Sequence, residues 1–137
     1  MDVKTTFLNG VIMEEVYVEQ PQGFEVKYRV TQVCKLKKDL YGMKQAPRAW
    51  YGRIDIFLKS LGITKSKAHP KLYLKFMDDV HVILLLYVDD LFVTGNEKQI
   101  AESKKNLVEE FKMKDLGLMH YFVGMDVWQI PEGIFLN

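Results

Sequence analysis

The sequence predicts an α+β fold in which an antiparallel sheet packs against helices on one of its faces. Two observations support this prediction. Apolar runs on both sides of Asp89-Asp90 favour a β-hairpin, and two other stretches repeat apolar residues at helical spacing. The elements follow in the order strand, helix, two-strand hairpin, helix and strand, which is the ferredoxin-like arrangement. In such a sheet the first strand can lie beside the hairpin, and Asp2 would then meet Asp89.

The first strand is expected within residues 1–10, which end in the turn signal Asn9-Gly10. The first helix is predicted to begin near Pro47 and to end at Gly62, a length of about 14 residues. Its apolar side chains recur at helical spacing and are assigned to core packing: Trp50, Ile54, Phe57, Leu58 and Leu61.

Two hairpins are predicted in tandem after this helix. The turn at Asp78-Asp79 is interpreted as an ordinary connection between strands at 72–76 and 81–86. The turn at Asp89-Asp90 then leads into a strand at 91–94. Adjacent acids at the second turn would stay solvated while the strands are buried.

A second helix is predicted to be capped by Gly95 or Asn96. Its apolar face is expected to hold Ile100, Leu107, Val108 and Phe111, and its solvent face Glu97, Glu102, Lys105 and Glu109. A turn and one strand are expected within residues 116–128, and a further hairpin can form at 131–133.

Length and composition limit the class of protein. A chain of 137 residues with 48% hydrophobic residues suits one globular domain. The longest apolar run, 82–88, is too short to cross a bilayer, and the N-terminus lacks a secretion signal, so we expect a soluble intracellular protein. Cys34 is the only cysteine and the three histidines are scattered, which indicates neither an internal disulfide nor a zinc site.

The charges are unevenly distributed, although the net charge is only +1. Residues 27–75 contain thirteen basic and two acidic residues, whereas the rest of the chain contains six basic and sixteen acidic ones. Because phosphate binding depends on local charge, this basic middle permits a groove for a polyanion. A solvated lysine surface is the alternative interpretation.

The paired acids Asp89 and Asp90 have two interpretations. Like charges at contact distance raise each other's pKa unless a cation neutralises them. Mg²⁺ prefers carboxylate oxygens and leaves coordination positions open for phosphate. An Asp-Asp pair is also a common turn dipeptide, and Asp78-Asp79 is interpreted in that way. The choice for Asp89 and Asp90 therefore depends on the rest of the sequence.

Eight short motifs occur along nearly the whole chain: MDVKT at 1–5, FLNG at 7–10, EVY at 15–17, EQP at 19–21, LYG at 40–42, KQAPRAW at 44–50, LLYVDD at 85–90 and MKDLG at 113–117. Each motif is weak alone, but their order and spacing are specific. Through them the sequence resembles the reverse transcriptase of copia-type (Pseudoviridae-like) LTR retrotransposons, in the palm region of the Pol polyprotein.

The resemblance implies the palm of an RNA-directed DNA polymerase with two Mg²⁺ ions, for which Mn²⁺ can substitute. It selects Asp2 and Asp89 as catalytic metal ligands, with Asp90 in the site as a less direct ligand. In two-metal nucleotidyl transfer the ions lie about 3.5–4 Å apart, where one activates the primer hydroxyl and the other carries charge on the pyrophosphate. Carboxylates on neighbouring strands can bridge both ions.

The same resemblance assigns nucleotide-binding residues. Phe7 would lie beneath the incoming sugar, where its ring would clash with a 2′-hydroxyl; a core phenylalanine is the alternative. Gly42 and Lys44 would lie along the template and the incoming nucleotide. The implied substrates are deoxynucleoside triphosphates.

The resemblance also implies contacts with a template-primer duplex of RNA or DNA. Tyr87 would approach the primer end, Arg48 would contact primer or template, and residues 118–127 would support the primer. The basic middle would then hold phosphates without reading sequence. The implied location is the cytoplasm, in a virus-like particle, or the nucleus.

Three residues depart from the family pattern: Thr6 and Asp39 stand where a small residue such as alanine is usual, and His69 where aspartate is usual. Thr6 adjoins Phe7 and could disturb the nucleotide pocket. Fingers and thumb segments are not recognised in the sequence, so we expect residues 1–137 to be a partial reverse transcriptase domain that is inactive alone. A non-catalytic nucleic-acid-binding remnant and a co-opted structural protein are the alternatives.

Overall fold

The computed structural model describes residues 1–28, 31–77, 80–122, 124–130 and 133–137. Its two α-helices and its antiparallel sheets confirm the predicted α+β class. In chain order the elements are β1 (Asp2–Val3), a 3₁₀ helix (Thr6–Asn9), β2 (Tyr17–Val18), β3 (Cys34–Lys35), α1 (Ala46–Ser60), β4 (Thr64–Lys65), β5 (Leu72–Met77), β6 (Val80–Tyr87), β7 (Asp90–Gly95), α2 (Glu97–Phe111), β8 (Met113–Lys114), β9 (Tyr121–Phe122), β10 (Met125–Ile130) and β11 (Gly133–Leu136).

The main sheet has six strands in the order β4-β5-β6-β7-β1-β8. The strands of each neighbouring pair run antiparallel. The first strand therefore lies beside the second strand of the β6–β7 hairpin. Strands β9, β10 and β11 form a separate three-stranded sheet, and β2 pairs with β3.

Helix α1 agrees with its prediction. Pro47 lies in the first turn, where its missing N–H costs no hydrogen bond. The chain leaves the helix at Gly62, whose φ of 74° is a conformation that glycine adopts without strain. The buried residues repeat every four positions: Ala46, Trp50, Ile54 and Leu58.

Helix α2 begins as expected at Asn96, whose side-chain oxygen accepts a hydrogen bond from the backbone N–H of Lys98 at 3.1 Å. Leu107 and Phe111 are buried on the predicted face, together with Ser103. The prediction for Val108 was wrong, because its side chain is 39% exposed. Each residue turns by about 100° around the helix, which carries Val108 away from the stripe that contains Leu107.

One cluster of buried side chains joins both helices to the six-stranded sheet. Its members include Trp50, Ile54 and Leu58 from α1, Leu107 and Phe111 from α2, and Val82, Leu84 and Leu86 from β6. The side chain of Phe57 is partly buried against this cluster. The packing roles predicted for Trp50 and Phe57 are therefore confirmed.

Arg53 links three elements at the edge of this core. Its guanidinium donates to the backbone oxygen of Asn9 at 3.1 Å and to the carboxylate of Glu110 at 3.0 Å. It also lies over the ring of Phe111, 5.6 Å from the ring centre. These contacts connect α1 to the 3₁₀ helix after β1 and to α2.

One expectation about strands is confirmed and another is corrected. The first strand lies within residues 1–10 as expected and is two residues long, because the chain turns at Thr5, with φ 53°, into the 3₁₀ helix. The stretch at 116–128 contains two strands, β9 and β10, with Gly124 at φ 85° in their connection. Strands β10 and β11 do pair as the predicted C-terminal hairpin. The turn at Asp78-Asp79 and residues 131–132 lie outside the described residues.

Among the described residues, no helix has the length and apolar character needed to cross a membrane.

Candidate active site

The Asp89 side chain lies in the turn that joins β6 to β7. Tyr87 pairs with Asp90 across the hairpin, so Val88 and Asp89 form a two-residue turn. Val88 has φ 54° and Asp89 has no positive φ, a combination found in type II′ hairpin turns. The turn therefore presents Asp89 at the end of the hairpin, beyond the last paired residues.

The register of β1 against β7 places Asp2 directly opposite Asp90. The Val3 N–H donates to the Asp89 oxygen, and the Leu91 N–H donates to the Met1 oxygen, each at 2.9 Å. These two bonds flank the Asp2–Asp90 pair, which makes it a non-hydrogen-bonded pair, the type whose side chains lie closest across a sheet. Asp2 and Asp90 therefore share one face of the sheet, and Asp89 is the adjacent residue.

The electrostatics of Asp90 reflect this crowding. The pKa of its half-buried carboxyl is raised, first by burial and then by the negative charges of Asp89 and Asp2, against an opposing effect of the Met1 amino group. Like charges directly opposite each other destabilise a sheet. A cation bound between these carboxylates would remove that repulsion.

The acids fit Mg²⁺ by the chemistry of their oxygen donors. In the described part of the chain, no three His, Cys, Asp or Glu side chains gather closely enough to form a complete metal site. Mg²⁺, however, is commonly bound by one or two carboxylates, with water and substrate phosphates as its other ligands. On the other side of Asp2, its partner on β8 is Lys114. A basic side chain is therefore placed on the same face as the acids.

Phe7 and the LYG turn at 40–42 lie together. The Phe7 ring meets the Tyr41 ring edge-to-face, with 4.6 Å between centres. Gly42 follows with φ 88°, a backbone conformation that favours glycine. Phe7 is partly buried and packs against the core, and Lys44 is exposed. The structure thus brings Phe7 and Gly42 into one region and leaves the Lys44 side chain in solvent.

The predicted primer and template residues are spread over a wider area. Tyr87 is exposed, with the Lys71 ammonium 4.6 Å from its ring centre. Arg48 is exposed on α1 and lines a groove of about 530 Å³ together with Val11 and Met13. The region at 118–127 reaches the main sheet where the Phe122 ring meets the Phe92 ring of β7, 4.7 Å between centres.

Comparison with known proteins identifies the family. A family model described as reverse transcriptase (RNA-dependent DNA polymerase) matches residues 1–137. The chain belongs to the reverse transcriptase family. No solved structure matches it.

Three curated relatives show how this reverse transcriptase chain compares with longer proteins. It is 49% identical over 93% of its length to the retrovirus-related Pol polyprotein from transposon TNT 1-94 of Nicotiana tabacum, and 39% identical over 100% to that from transposon RE1 of Arabidopsis thaliana. It is 36% identical over 97% of its length to the putative transposon Ty5-1 protein of Saccharomyces cerevisiae. The chain spans 10%, 9% and 44% of these relatives, respectively. The resemblance to copia-type elements is confirmed.

The departures from the reverse transcriptase pattern have different structural settings. The Thr6 side chain is buried, and its hydroxyl donates to the Val3 oxygen at 3.0 Å. The Thr6 hydroxyl is thus bonded within the turn after β1. His69 is exposed, and its Nδ1 accepts a hydrogen bond from the Lys71 N–H at 3.3 Å. Asp39 is buried, with neither carboxylate oxygen bonded within the described structure.

Replacing Thr6 with alanine is expected to lower the free energy of unfolding by about 1 kcal/mol, the usual contribution of one hydrogen bond. The Val3 oxygen would lose a buried donor next to the strand that carries Asp2. Urea unfolding measures the change. Thr6→Ser keeps the hydroxyl and should stay closer to the parent chain. A serine variant as unstable as the alanine variant would show that the lost methyl group, and not the lost hydrogen bond, explains the effect.

Sequence reasoning missed two residues that touch the turn of this reverse transcriptase chain. The Trp50 indole N–H donates to the Val88 oxygen at 2.9 Å, and the Tyr51 hydroxyl accepts from the Val88 N–H at 3.3 Å. The sequence predicts only a packing role for Trp50. A buried tryptophan usually finds a partner for its N–H, but the helical spacing of Trp50 cannot indicate which partner.

Proposed function

We propose that this chain is the palm core of an RNA-directed DNA polymerase of a copia-type retrotransposon, with the ferredoxin-like sheet that such a palm uses. Asp2 and Asp89 are the catalytic metal ligands, and Asp90 completes the site. The observation that carries the proposal is the direct opposition of Asp2 and Asp90 on neighbouring strands, with Asp89 adjacent in the turn. Two carboxylates that face each other directly across a sheet, as those of Asp2 and Asp90 do, are costly to hold together unless a cation binds there.

The residues around the acids support this function. When bound, two Mg²⁺ ions, or Mn²⁺ in their place, lower the pKa of the primer 3′-hydroxyl and offset the charge of the leaving pyrophosphate. Asp2 and Asp89 would hold these ions, and the hydrogen bond from the Val3 N–H to the Asp89 oxygen, at 2.9 Å, ties the backbone next to Asp2 to that of Asp89. Phe7, placed after β1 and against Tyr41, provides the flat surface that excludes a 2′-hydroxyl from the incoming sugar.

The nucleic acid follows the basic middle of the chain. Lys44 and Arg48 are both exposed around the start of α1. Lys44 lies along the template and the incoming nucleotide, and Arg48 contacts the primer or the template. Tyr87 approaches the primer end, next to the turn that carries Asp89. Gly42 permits close approach of the backbone to the nucleotide, because it lacks a side chain.

Metal binding tests the proposal most directly. Mn²⁺ titration of the chain, followed by water-proton relaxation, is expected to show a site that Asp2→Asn or Asp89→Asn weakens by about tenfold or more, since each removes a charged ligand. Asp126→Asn is the matched control, because Asp126 is an exposed acid on β10. Equal Mn²⁺ affinity in all three variants would exclude a metal site at the turn.

We propose further that these 137 residues do not extend a primer on their own. Large apolar side chains of β9–β11 are exposed, among them Tyr121, Trp128 and Ile134, and such a face usually packs against another protein segment. Primer extension on an RNA template with Mg²⁺ is expected to give no product dependent on Asp89. Product that disappears with Asp89→Asn would contradict this expectation.

RNA binding separates the polymerase from a non-catalytic remnant. A chain that only binds nucleic acid should bind RNA in a salt-dependent way, and that binding should survive Asp2→Asn and Asp89→Asn. If the same chain shows no Mn²⁺ site, the remnant replaces the polymerase as the function of these residues.

A further inference from the structure

The backbone of Val88 adopts a conformation that a β-branched residue rarely takes. Its φ of 54° is positive, at the first of the two turn positions, where two-residue hairpin turns usually have glycine or asparagine. Branching at Cβ makes this conformation strained, and such strain persists only where the surrounding structure enforces it. Val88 directly precedes Asp89, so its conformation sets the direction in which the Asp89 backbone continues.

Helix α1 bonds to both polar backbone groups of Val88. The Trp50 indole donates to the Val88 oxygen at 2.9 Å, while the Val88 N–H donates to the Tyr51 hydroxyl at 3.3 Å. The two bonds come from consecutive residues of one helix and hold one residue from both sides. Loosening of the turn would therefore break both bonds.

Both helix residues are themselves fixed. Trp50 is fully buried, and its ring meets the Phe111 ring edge-to-face at 5.2 Å. Tyr51 is partly buried and packs against the same core. The positions of the indole N–H and of the hydroxyl are thus set by the core that joins α1 to the sheet.

We propose that Trp50 and Tyr51 are positioning residues that hold Val88 in its strained conformation and thereby fix the orientation of Asp89 for metal binding. Glycine at position 88 would adopt the turn without strain but would also permit other conformations. Val88, held by two hydrogen bonds, restricts the turn to one conformation. The metal part of this inference rests on the proposed function, whereas the effect on the turn does not.

Conservative variants test the two bonds separately. Trp50→Phe removes the indole donor and keeps an aromatic ring, and Tyr51→Phe removes only the hydroxyl. Amide hydrogen exchange of Val88, measured by NMR, is expected to accelerate by about tenfold in each variant, the factor that corresponds to one hydrogen bond. Trp128→Phe and Tyr121→Phe are the matched controls, because both parent side chains are exposed in the three-stranded sheet. They should leave exchange at Val88 unchanged.

Mn²⁺ affinity shows whether the bonds serve Asp89. Trp50→Phe and Tyr51→Phe are expected to weaken Mn²⁺ binding by about three- to tenfold under conditions where both variants are fully folded. In a chain that also carries Val88→Gly, Trp50→Phe and Tyr51→Phe should weaken Mn²⁺ binding less than they do with Val88. Glycine adopts the turn conformation without strain, so it does not need the two hydrogen bonds to remain in it. A purely structural role would change the urea midpoint and leave affinity unchanged.

Amide exchange at Val88 and Mn²⁺ affinity together distinguish the positioning role of Trp50 and Tyr51 from the proposed metal site. Parent-like exchange at Val88 in both variants would overturn the positioning role. Faster exchange with unchanged Mn²⁺ affinity would likewise show that the bonds do not serve Asp89. If the parent chain binds no Mn²⁺, the proposed function fails, and the exchange measurement still decides whether α1 holds the turn. Tyr51→Phe keeps the core intact, so the test remains decisive if Trp50→Phe does not fold.

Discussion

Replacing Gly95 with alanine is expected to destabilise the chain by about 4 kcal/mol or more, in the range of exceptional single substitutions. Gly95 ends β7 opposite Val82, with φ 134°. A Cβ atom there would lie 2.1 Å from the backbone oxygen of His81 and 3.0 Å from the Val82 Cα. Both neighbours are backbone atoms of the adjacent strand, so they cannot move without breaking the β6–β7 ladder.

The close approach of β7 to β6 at Gly95 lies immediately before the start of helix α2. The same His81 oxygen accepts a hydrogen bond from the Asn96 N–H at 3.0 Å, immediately before the helix. The alanine variant should therefore loosen both the hairpin that carries Asp89 and the cap of α2. Urea unfolding followed by circular dichroism measures the loss.

Gly117→Ala is the matched control for Gly95→Ala. Gly117 has a positive φ of 75°, but a Cβ atom there would meet nothing within 4 Å. Gly117→Ala should lower the free energy of unfolding only by the intrinsic penalty of the left-handed conformation, about 1–2 kcal/mol. Equal losses in the two variants would mean that the backbone clash at Gly95 is relieved by movement of β6.

Replacing Asp39 with alanine is expected to stabilise the chain at neutral pH by about 1–3 kcal/mol, the usual cost of burying an unsatisfied polar group. Asp39 is 0% exposed, and within the described residues neither of its carboxylate oxygens has a hydrogen-bond partner. A Cβ built on Gly10 would lie 3.0 Å from one of these oxygens, so the carboxyl group packs closely against the backbone of the Asn9-Gly10 turn. Alanine removes the charge and leaves no side-chain oxygen that needs a hydrogen bond.

The effect of Asp39 depends on pH in a defined direction. Burial raises the pKa of this carboxyl above its ordinary value of 3.8, and the charge of Glu14 raises it further. The native state therefore binds the proton more tightly than the unfolded chain does. Stability is highest below the unfolded pKa and is lost as the pH rises through the folded pKa. The difference between Asp39→Ala and the parent should thus be small near pH 4 and largest at pH 7.

Urea unfolding at both pH values checks this prediction, with Asp126→Ala as an exposed control. A variant less stable than the parent at pH 7 would show that the Asp39 carboxylate has a favourable partner in solution. An advantage that does not shrink at acid pH would show that packing, and not charge, explains the gain.

Local signals predicted the two helices well, because capping and spacing act within a few residues. Asn96 and the apolar stripe located α2, while Pro47 and Gly62 located α1 within about two residues. Val108 was wrongly assigned to the buried face, because the apolar residues of α2 occupy a wider arc of the helix than the sheet covers. Gly124 at φ 85° divides a stretch that had looked like one strand.

The candidate site was only partly accessible from the sequence. The predicted order of strands and helices placed the strand of Asp2 beside the hairpin, and the structure shows this pairing. The sequence had paired Asp2 with Asp89, whereas the register sets Asp90 directly opposite. A shift of one residue changes which side chains share a face, and a two-residue strand carries too little pattern to fix such a shift.

The sequence by itself determined the family, the α+β class and the acids at the hairpin, because these depend on residue identity and local spacing. Only the tertiary structure decided which acid faces Asp2, that α1 bonds to both sides of Val88, and that the buried Asp39 carboxylate has no hydrogen-bond partner among the described residues. Each of these features depends on the packing of segments that lie far apart in the chain. They depend on how helix and sheet pack together, and no local pattern records that packing.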